Sequence, residues 1–253
     1  MQFNPEQCKS TTLTYYENWL GEMGCLASGK GNQQIFSTER NAVQAGYPNR
    51  MDLYIWVEPS RTIISYGDAV KSKMPMLAEK LLGLSVFGML ETLNGIFDNK
   101  PKHNEKYFYQ GYPAIEQTEI TAKTLTLADY VDFEAFHASC FPGSGGDWLY
   151  EYFEDMVRYN YCAGVYIDGL LVSCTDAPTM PYMPEQMQEI GISTIESYRG
   201  RGYATVACRK AADNIIQGGR YPTWLNNYTN IGSRRTAENT GFAKLADVLT
   251  LTL

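Results

Sequence analysis

The apolar and polar positions of the chain alternate between two regimes. In residues 13–20 apolar side chains recur at helical spacing, residues 53–57 and 62–66 read as strands around the turn Glu58-Pro59-Ser60-Arg61, and the apolar segment 74–97 reads as one or two helices. The stretch Asn99-Lys100-Pro101-Lys102-His103-Asn104-Glu105-Lys106 combines charge, Pro and Asn with almost nothing to bury, so it marks a boundary. This divides the chain into an N-terminal α/β domain, 1–113, and a second domain, 114–253.

Beyond the boundary the order of elements is sharper. Residues 119–127 alternate as a strand does, Thr126 or Asp129 can cap a helix running to about 139, and Phe141-Pro142-Gly143-Ser144-Gly145-Gly146 breaks it. Asp147 can cap a second helix through 158. Residues 162–167 and 170–174 flank Asp168-Gly169, a strong two-residue hairpin signal. A loop rich in Pro and Met, 178–186, leads to a strand at 189–195.

The turn that follows carries the chemistry. Ser197-Tyr198-Arg199-Gly200-Arg201-Gly202-Tyr203-Ala204-Thr205 joins this strand to a helical stretch at 206–217. A strand, a glycine-rich turn and a helix present several free backbone N–H groups toward one point, and the helix N-terminus adds partial positive charge. With Arg199 and Arg201 beside it, the site suits a pyrophosphate. The order G-x-G-x-x-G of dinucleotide sites is absent, and no G-K-[ST] follows as in a P-loop.

Arg199-Gly200-Arg201-Gly202-Tyr203-Ala204 fits the pattern R-x-x-G-x-A, and here the chain resembles the GNAT superfamily of N-acetyltransferases. A further strand at 223–228, then Asn230, Ser233, Ala237 and Gly241-Phe242 at the family's spacing, extend the resemblance over about residues 115–253. It implies an α+β fold with a mixed, mostly antiparallel twisted sheet flanked by helices, and acetyl-CoA as co-substrate. It also implies backbone contacts to the pantetheine arm at Thr194 and Ile195. Main-chain donors from Arg201 to Thr205 would hold the pyrophosphate, with Arg199 and Gly200 completing the turn. Asn230 and Ser233 would face the pantetheine, a role that stands beside their reading as caps of the next helix.

The activity implied is direct attack of an amine on the thioester. Glu189, on the strand before the turn, is the nearest carboxylate for the general base, although it lies one residue short of the common spacing from Arg199. Where many members carry a tyrosine acid this chain has Ala237, so the thiolate leaves unassisted, takes a proton from water, or uses another tyrosine, of which Tyr228, the candidate acid, and Tyr203 are the closest by sequence. His137 reads as a packed structural residue among Phe136, Ala138 and Phe141. A search of residues 1–113 finds no second R-x-x-G-x-A, so those residues are a degenerate copy of the fold or a cap over the acceptor cleft.

Composition limits the alternatives. With 253 residues, 44% of them hydrophobic, the chain can bury a core without staples. Six scattered cysteines and two histidines show neither a disulfide framework nor metal-ligand spacing, as expected of a reduced cytoplasmic protein without a metal. No uncharged apolar run approaches the roughly 18 residues of a membrane span. The net charge of −7 argues against a nucleic-acid partner. Its excess lies in the second half, where 17 acidic residues face 10 basic ones, which points to a cationic amine acceptor, small-molecule or protein, or to ordinary solvated helix faces. An oligomer is compatible with the sequence. So are two other functions: a coenzyme A sensor without turnover, and a protein-interaction scaffold.

Overall fold

Asn4 opens the first helix, α1 (Pro5–Leu20), by accepting from the amides of Glu6 and Gln7, and Gly21 closes it. The protein, a computed structural model, is described at residues 3–27, 29, 31–111 and 119–253. Strands β1 (Gln33–Phe36), β2 (Leu53–Glu58) and β3 (Arg61–Tyr66) follow, then helices α2 (Asp68–Lys71), α3 (Met74–Leu81) and α4 (Val86–Ile96), and strand β4 (Lys102–Tyr109). The second half runs β5 (Lys123–Thr124), α5 (Tyr130–Cys140), α6 (Trp148–Val157), β6 (Ala163–Ile167), β7 (Leu170–Asp176), β8 (Met187–Glu189), β9 (Gly191–Thr194), α7 (Tyr203–Gln217), β10 (Tyr221–Asn227), α8 (Ile231–Thr240) and β11 (Phe242–Leu251).

Among the described residues the strands form two sheets, β1-β3-β2-β11-β4-β10-β8 and β5-β6-β7-β9. The hairpin at Asp168-Gly169 forms as its sequence demands, with both residues at positive φ, 50° and 81°. The capping box of Thr126 and Asp129 also forms, leading through a short 3-10 turn into α5. The strand expected over 119–127 is reduced to two residues, β5, and residues 112–118 lie outside the described residues.

Residues 102–106 of the polar stretch lie within strand β4, which pairs antiparallel with β10 on one side and β11 on the other. Its Glu105 and His103 side chains are buried because tertiary partners satisfy them. Glu105 receives hydrogen bonds from Asn226, Arg234, Lys244 and Tyr107, and His103 meets Asp247 at 2.7 Å. A division at 113 therefore separates two stretches of chain that share one sheet, since β1 to β4 lie in the same sheet as β8, β10 and β11.

Alternation along the strands sorts the helices by face. Leu53 and Ile55 of β2 pack with α3 and α4, whereas Tyr54 and Trp56 point the other way and pack with Tyr15, Tyr16 and Trp19 of α1. Helix α8 lies on the α4 face, where Arg234 reaches Glu105. In the smaller sheet a register shift of β7 against β6 at Val172 interrupts this alternation, so Cys174 packs with Phe133, Phe136 and Phe153 of α5 and α6 while Val172 packs on the opposite face with Ala207 of α7.

Candidate functional site

One extended segment belongs to both sheets. Residues 187–189 form β8, which runs parallel to β10, with Glu189 opposite Thr223. At Ile190, whose N–H donates to the Thr223 carbonyl at 3.1 Å, the segment leaves β10 and continues as β9, paired antiparallel with β7. From Gly191 onward the edge of β9 turned away from β7 has no strand beside it among the described residues. The two sheets thus part at Glu189-Ile190, and the opening runs toward the turn at 199–205.

Within this opening the backbone groups alternate. The Ile195 N–H donates to the Val172 carbonyl of β7 at 3.0 Å, so Ile195 faces its own sheet. Thr194, its neighbour, turns its backbone to the opening by the strand's alternation, and its carbonyl accepts from Arg199 Nε at 3.1 Å. The sequence expectation for Ile195 is corrected by this register: its amide is already used. The Thr194 hydroxyl lies 2.8 Å from that of Ser173.

The turn offers a cluster of donors. Gly200 and Gly202 adopt φ of 75° and 84°, a region that costs other L-residues about 1–2 kcal/mol, and a Cβ built at either would meet nothing within 4 Å. Glycine is required here by the backbone conformation, and the surrounding space is open. The first hydrogen bond of α7 runs from Val206 N–H to the Gly202 carbonyl at 3.2 Å. Among the described residues the amides of Gly200 to Thr205 have no acceptor inside the protein, so they gather at the N-terminus of a 15-residue helix. Arg201 folds onto the Ser197 carbonyl at 3.2 Å and over the Tyr198 ring, bracing the turn. Tyr203 contributes its amide only, because its ring is buried with Val165, Val172 and Ala207.

On the far side of the opening Asn230 caps α8, its side chain accepting from the Ser233 N–H at 3.0 Å. The capping reading is thereby realised, and Asn230 is exposed beside it. Tyr228 does not join Glu189. It continues β10 by donating its N–H to the His103 carbonyl, and its ring stacks on His103 at 4.4 Å and meets Phe87 of α4 at 5.3 Å. Glu189, in register with Thr223, lies instead on the α1 face, where Tyr16 Oη is 3.5 Å from the Thr223 hydroxyl. Ala237 is fully buried.

Glu189 is half-buried at the point of parting. Loss of solvation raises its carboxyl to about 7, opposed by Lys106 and reinforced by Asp176. Asp176 was not anticipated from the sequence. It ends β7 opposite Gly191, and a Cβ on Gly191 would lie 1.7 Å from its Oδ1. A glycine inside a predicted strand was the available signal, since it marks close approach of another group. Burial also raises the Asp176 carboxyl, Oδ2 accepts from Tyr152 at 3.2 Å, and Oδ1 has no hydrogen-bond partner among the described residues.

Asp176 lines a cleft of about 250 Å³ beneath α5 and α6, together with Phe136, His137, Trp148, Tyr152 and Ser193. His137 is therefore a cleft residue, with burial lowering its pKa and its Nδ1 unpartnered. The acidic residues of α5 and α6 do not enter this cleft. Asp129 holds Thr126 and Lys123, Asp132 accepts from Tyr166, Glu134 accepts from Tyr130, and Asp155 pairs with Arg158. Among the described residues lining the cleft Asp176 is the one acid. No group of three His, Cys, Asp or Glu among the described residues could hold a metal ion, and no helix is long and apolar enough to cross a membrane.

The sequence model of the family described as GNAT acetyltransferase matches residues 97–247. No curated protein matches the chain. Among solved structures, an acetyltransferase of the GNAT family from Colwellia psychrerythraea is similar at 15% identity with a TM-score of 0.52, over 81% of this chain and 82% of that one. A GCN5-related N-acetyltransferase from Sphaerobacter thermophilus aligns at 16% identity and a TM-score of 0.48, over 66% of this chain and 56% of that one. The first of these shares the fold.

Proposed function

The chain belongs to the GNAT acetyltransferase family and is an acyltransferase, and from that premise we propose that it moves an acetyl group from acetyl-CoA to a primary amine by direct attack. The observation that carries the reading is the row of free amides from Gly200 to Thr205, set where the parted strands open. A diphosphate is an anion of matching extent for such a row, and it gains from the helix dipole as well as from the hydrogen bonds. Arg199, Gly200, Arg201 and Gly202 shape this turn, and Tyr203, Ala204 and Thr205 supply main-chain donors. The pantetheine arm then lies along the open edge of β9, where Thr194 presents its backbone. Asn230 and Ser233 border the arm from the α8 side.

Glu189 serves as the general base. Its carboxyl sits at the end of the opening, and a pKa near neutrality matches its task, because it can hold a proton without being a weak acceptor for one. Attack forms the nitrogen–carbon bond and expels the thiolate, while Glu189 takes the proton shed by the amine. Asp176 keeps the neighbouring field negative, which raises the basicity of Glu189 and favours a cationic amine at the cleft mouth. Tyr228, turned to the other face, is left out of this chemistry.

Calorimetric titration with coenzyme A, followed by thiol release from acetyl-CoA with a panel of primary amines, tests the reading. Amine-dependent thiol release supports it. Tight coenzyme A binding without any amine-dependent release would favour a sensor, and absence of binding would remove the phosphate-turn assignment altogether.

A further inference from the structure

A second cavity, of about 210 Å³, opens on the α1 face. Its walls include Trp19, Tyr47, Tyr54, Asn104 and Leu225, and its charges are Lys102 and Lys106. No carboxylate lines it. Lys106 is buried, 6% exposed, and its ammonium makes no hydrogen bond or ion pair among the described residues, lying 5.7 Å from the centre of the Tyr16 ring. The Tyr54 hydroxyl, on a side chain 1% exposed, is likewise without a partner. Behind the aromatic wall the buried Arg40 guanidinium rests on Trp19 and Tyr54. The Lys106 ammonium feels the charge of Glu189 but bonds no group, and the Tyr54 hydroxyl is buried without a partner; an unpaired buried hydroxyl is costly, so hydroxyl and ammonium at one cavity suit an anionic ligand.

The cavity borders the proposed base. Leu225 stands two residues beyond Thr223 on β10, and Thr223 is in register with Glu189. Lys106 is opposite Leu225 on β4 and is also the charge that most favours Glu189 ionisation. Both side chains point to the α1 face, so an acceptor could present its amine to Glu189 while its other end lies in the cavity.

We propose that the acceptor is an amine whose molecule also carries a carboxylate, of the size of one amino acid, with the carboxylate held by Lys106 and the Tyr54 hydroxyl, Lys102 at the mouth, and an apolar portion against Trp19, Tyr47 and Leu225. This rests on the acyltransferase reading, and it narrows the substrate class. The cavity volume of about 210 Å³ matches a single amino acid.

The test has two arms. In the first, acetylation of leucine and of γ-aminobutyrate is compared with that of isoamylamine and butylamine, which lack the carboxylate. The expected KM is about tenfold lower for the acids, and Tyr54→Phe erases that preference while leaving the KM of the plain amines within about twofold. In the second, N-acetyl-leucine and its amide are titrated calorimetrically, which needs no turnover; the acid binds about tenfold tighter to the wild type and no tighter to Tyr54→Phe, a variant that removes one unpaired oxygen and leaves the core intact. Equal binding of acid and amide, or plain amines acetylated as well as the acids, overturns the proposal even if acetylation is robust. Loss of coenzyme A binding with the acid preference retained would instead sink the acyltransferase reading and leave the carboxylate site standing.

Discussion

Replacing Glu189 by Gln separates its role in the fold from its role in the chemistry. The wild-type carboxyl rises from an ordinary value of 4.5 to about 7 on folding, so the folded state binds a proton that the unfolded state has released between those two pH values. The stabilising preference for the protonated form is complete below about 4.5 and is lost as pH rises through about 7. At 1.36 kcal/mol per pKa unit the change amounts to at most about 3 kcal/mol. Glutamine cannot ionise and loses nothing over this interval. Thermal unfolding of both proteins from pH 4.5 to pH 8 should therefore show the variant gaining on the wild type by several degrees, with most of the gain complete near pH 7. The offset at acid pH reflects packing and Lys106, whereas the slope reports Glu189. In parallel, kcat/KM of the wild type rises with pH through about 7, and Glu189→Gln loses about 10²- to 10⁴-fold together with that rise. A pH-independent difference in Tm, or an ascending limb near pH 7 that survives in the variant, would refute the assignment of both the titration and the base.

Other outcomes follow from single contacts. Gly202→Ala places a Cβ in open space but strains a backbone at φ 84°, so it should cost about 1–2 kcal/mol in urea denaturation and weaken coenzyme A binding about tenfold by calorimetry. Gly191→Ala drives a methyl into Asp176 Oδ1 and should destabilise by about 1–3 kcal/mol, with Asp176→Ala in the same chain restoring part of the loss in a double-mutant cycle. Glu105→Ala removes the buried acceptor of Asn226, Tyr107 and Arg234, while Lys244 keeps Asp247, and should cost about 1–3 kcal/mol in the same denaturation experiment. Since the hydrogen bonds of Asn226, Lys244, Arg234 and Tyr107 outweigh burial and hold the Glu105 carboxyl below its usual value, its contribution is present above that value and fades as acid protonates it, which an acid titration of wild-type stability will register.

Short-range chemistry made much of this protein legible in one dimension. Asp168-Gly169 reads as a hairpin because few other residues accept its two positive φ angles, Thr126 with Asp129 reads as a helix start because the two satisfy each other's backbone, and Arg199 to Thr205 reads as a phosphate turn because two glycines and a following helix suffice to line up free amides. Each of these depends on neighbours within a few residues. What the tertiary structure decided depends on partners far along the chain. Residues 102–106 of the polar run became part of an inner strand because Arg234, Lys244, Asn226 and Asp247 engage Glu105 and His103 from 121 or more positions away, and no local pattern records them. The parting of the sheets at Ile190 arose because β7 and β10 compete for one segment. That same competition fixed which face each side chain took, bringing Asp176 and Lys106 to Glu189 while turning Tyr228 away, since a residue's electrostatic surroundings are set by strand register and by what packs above it.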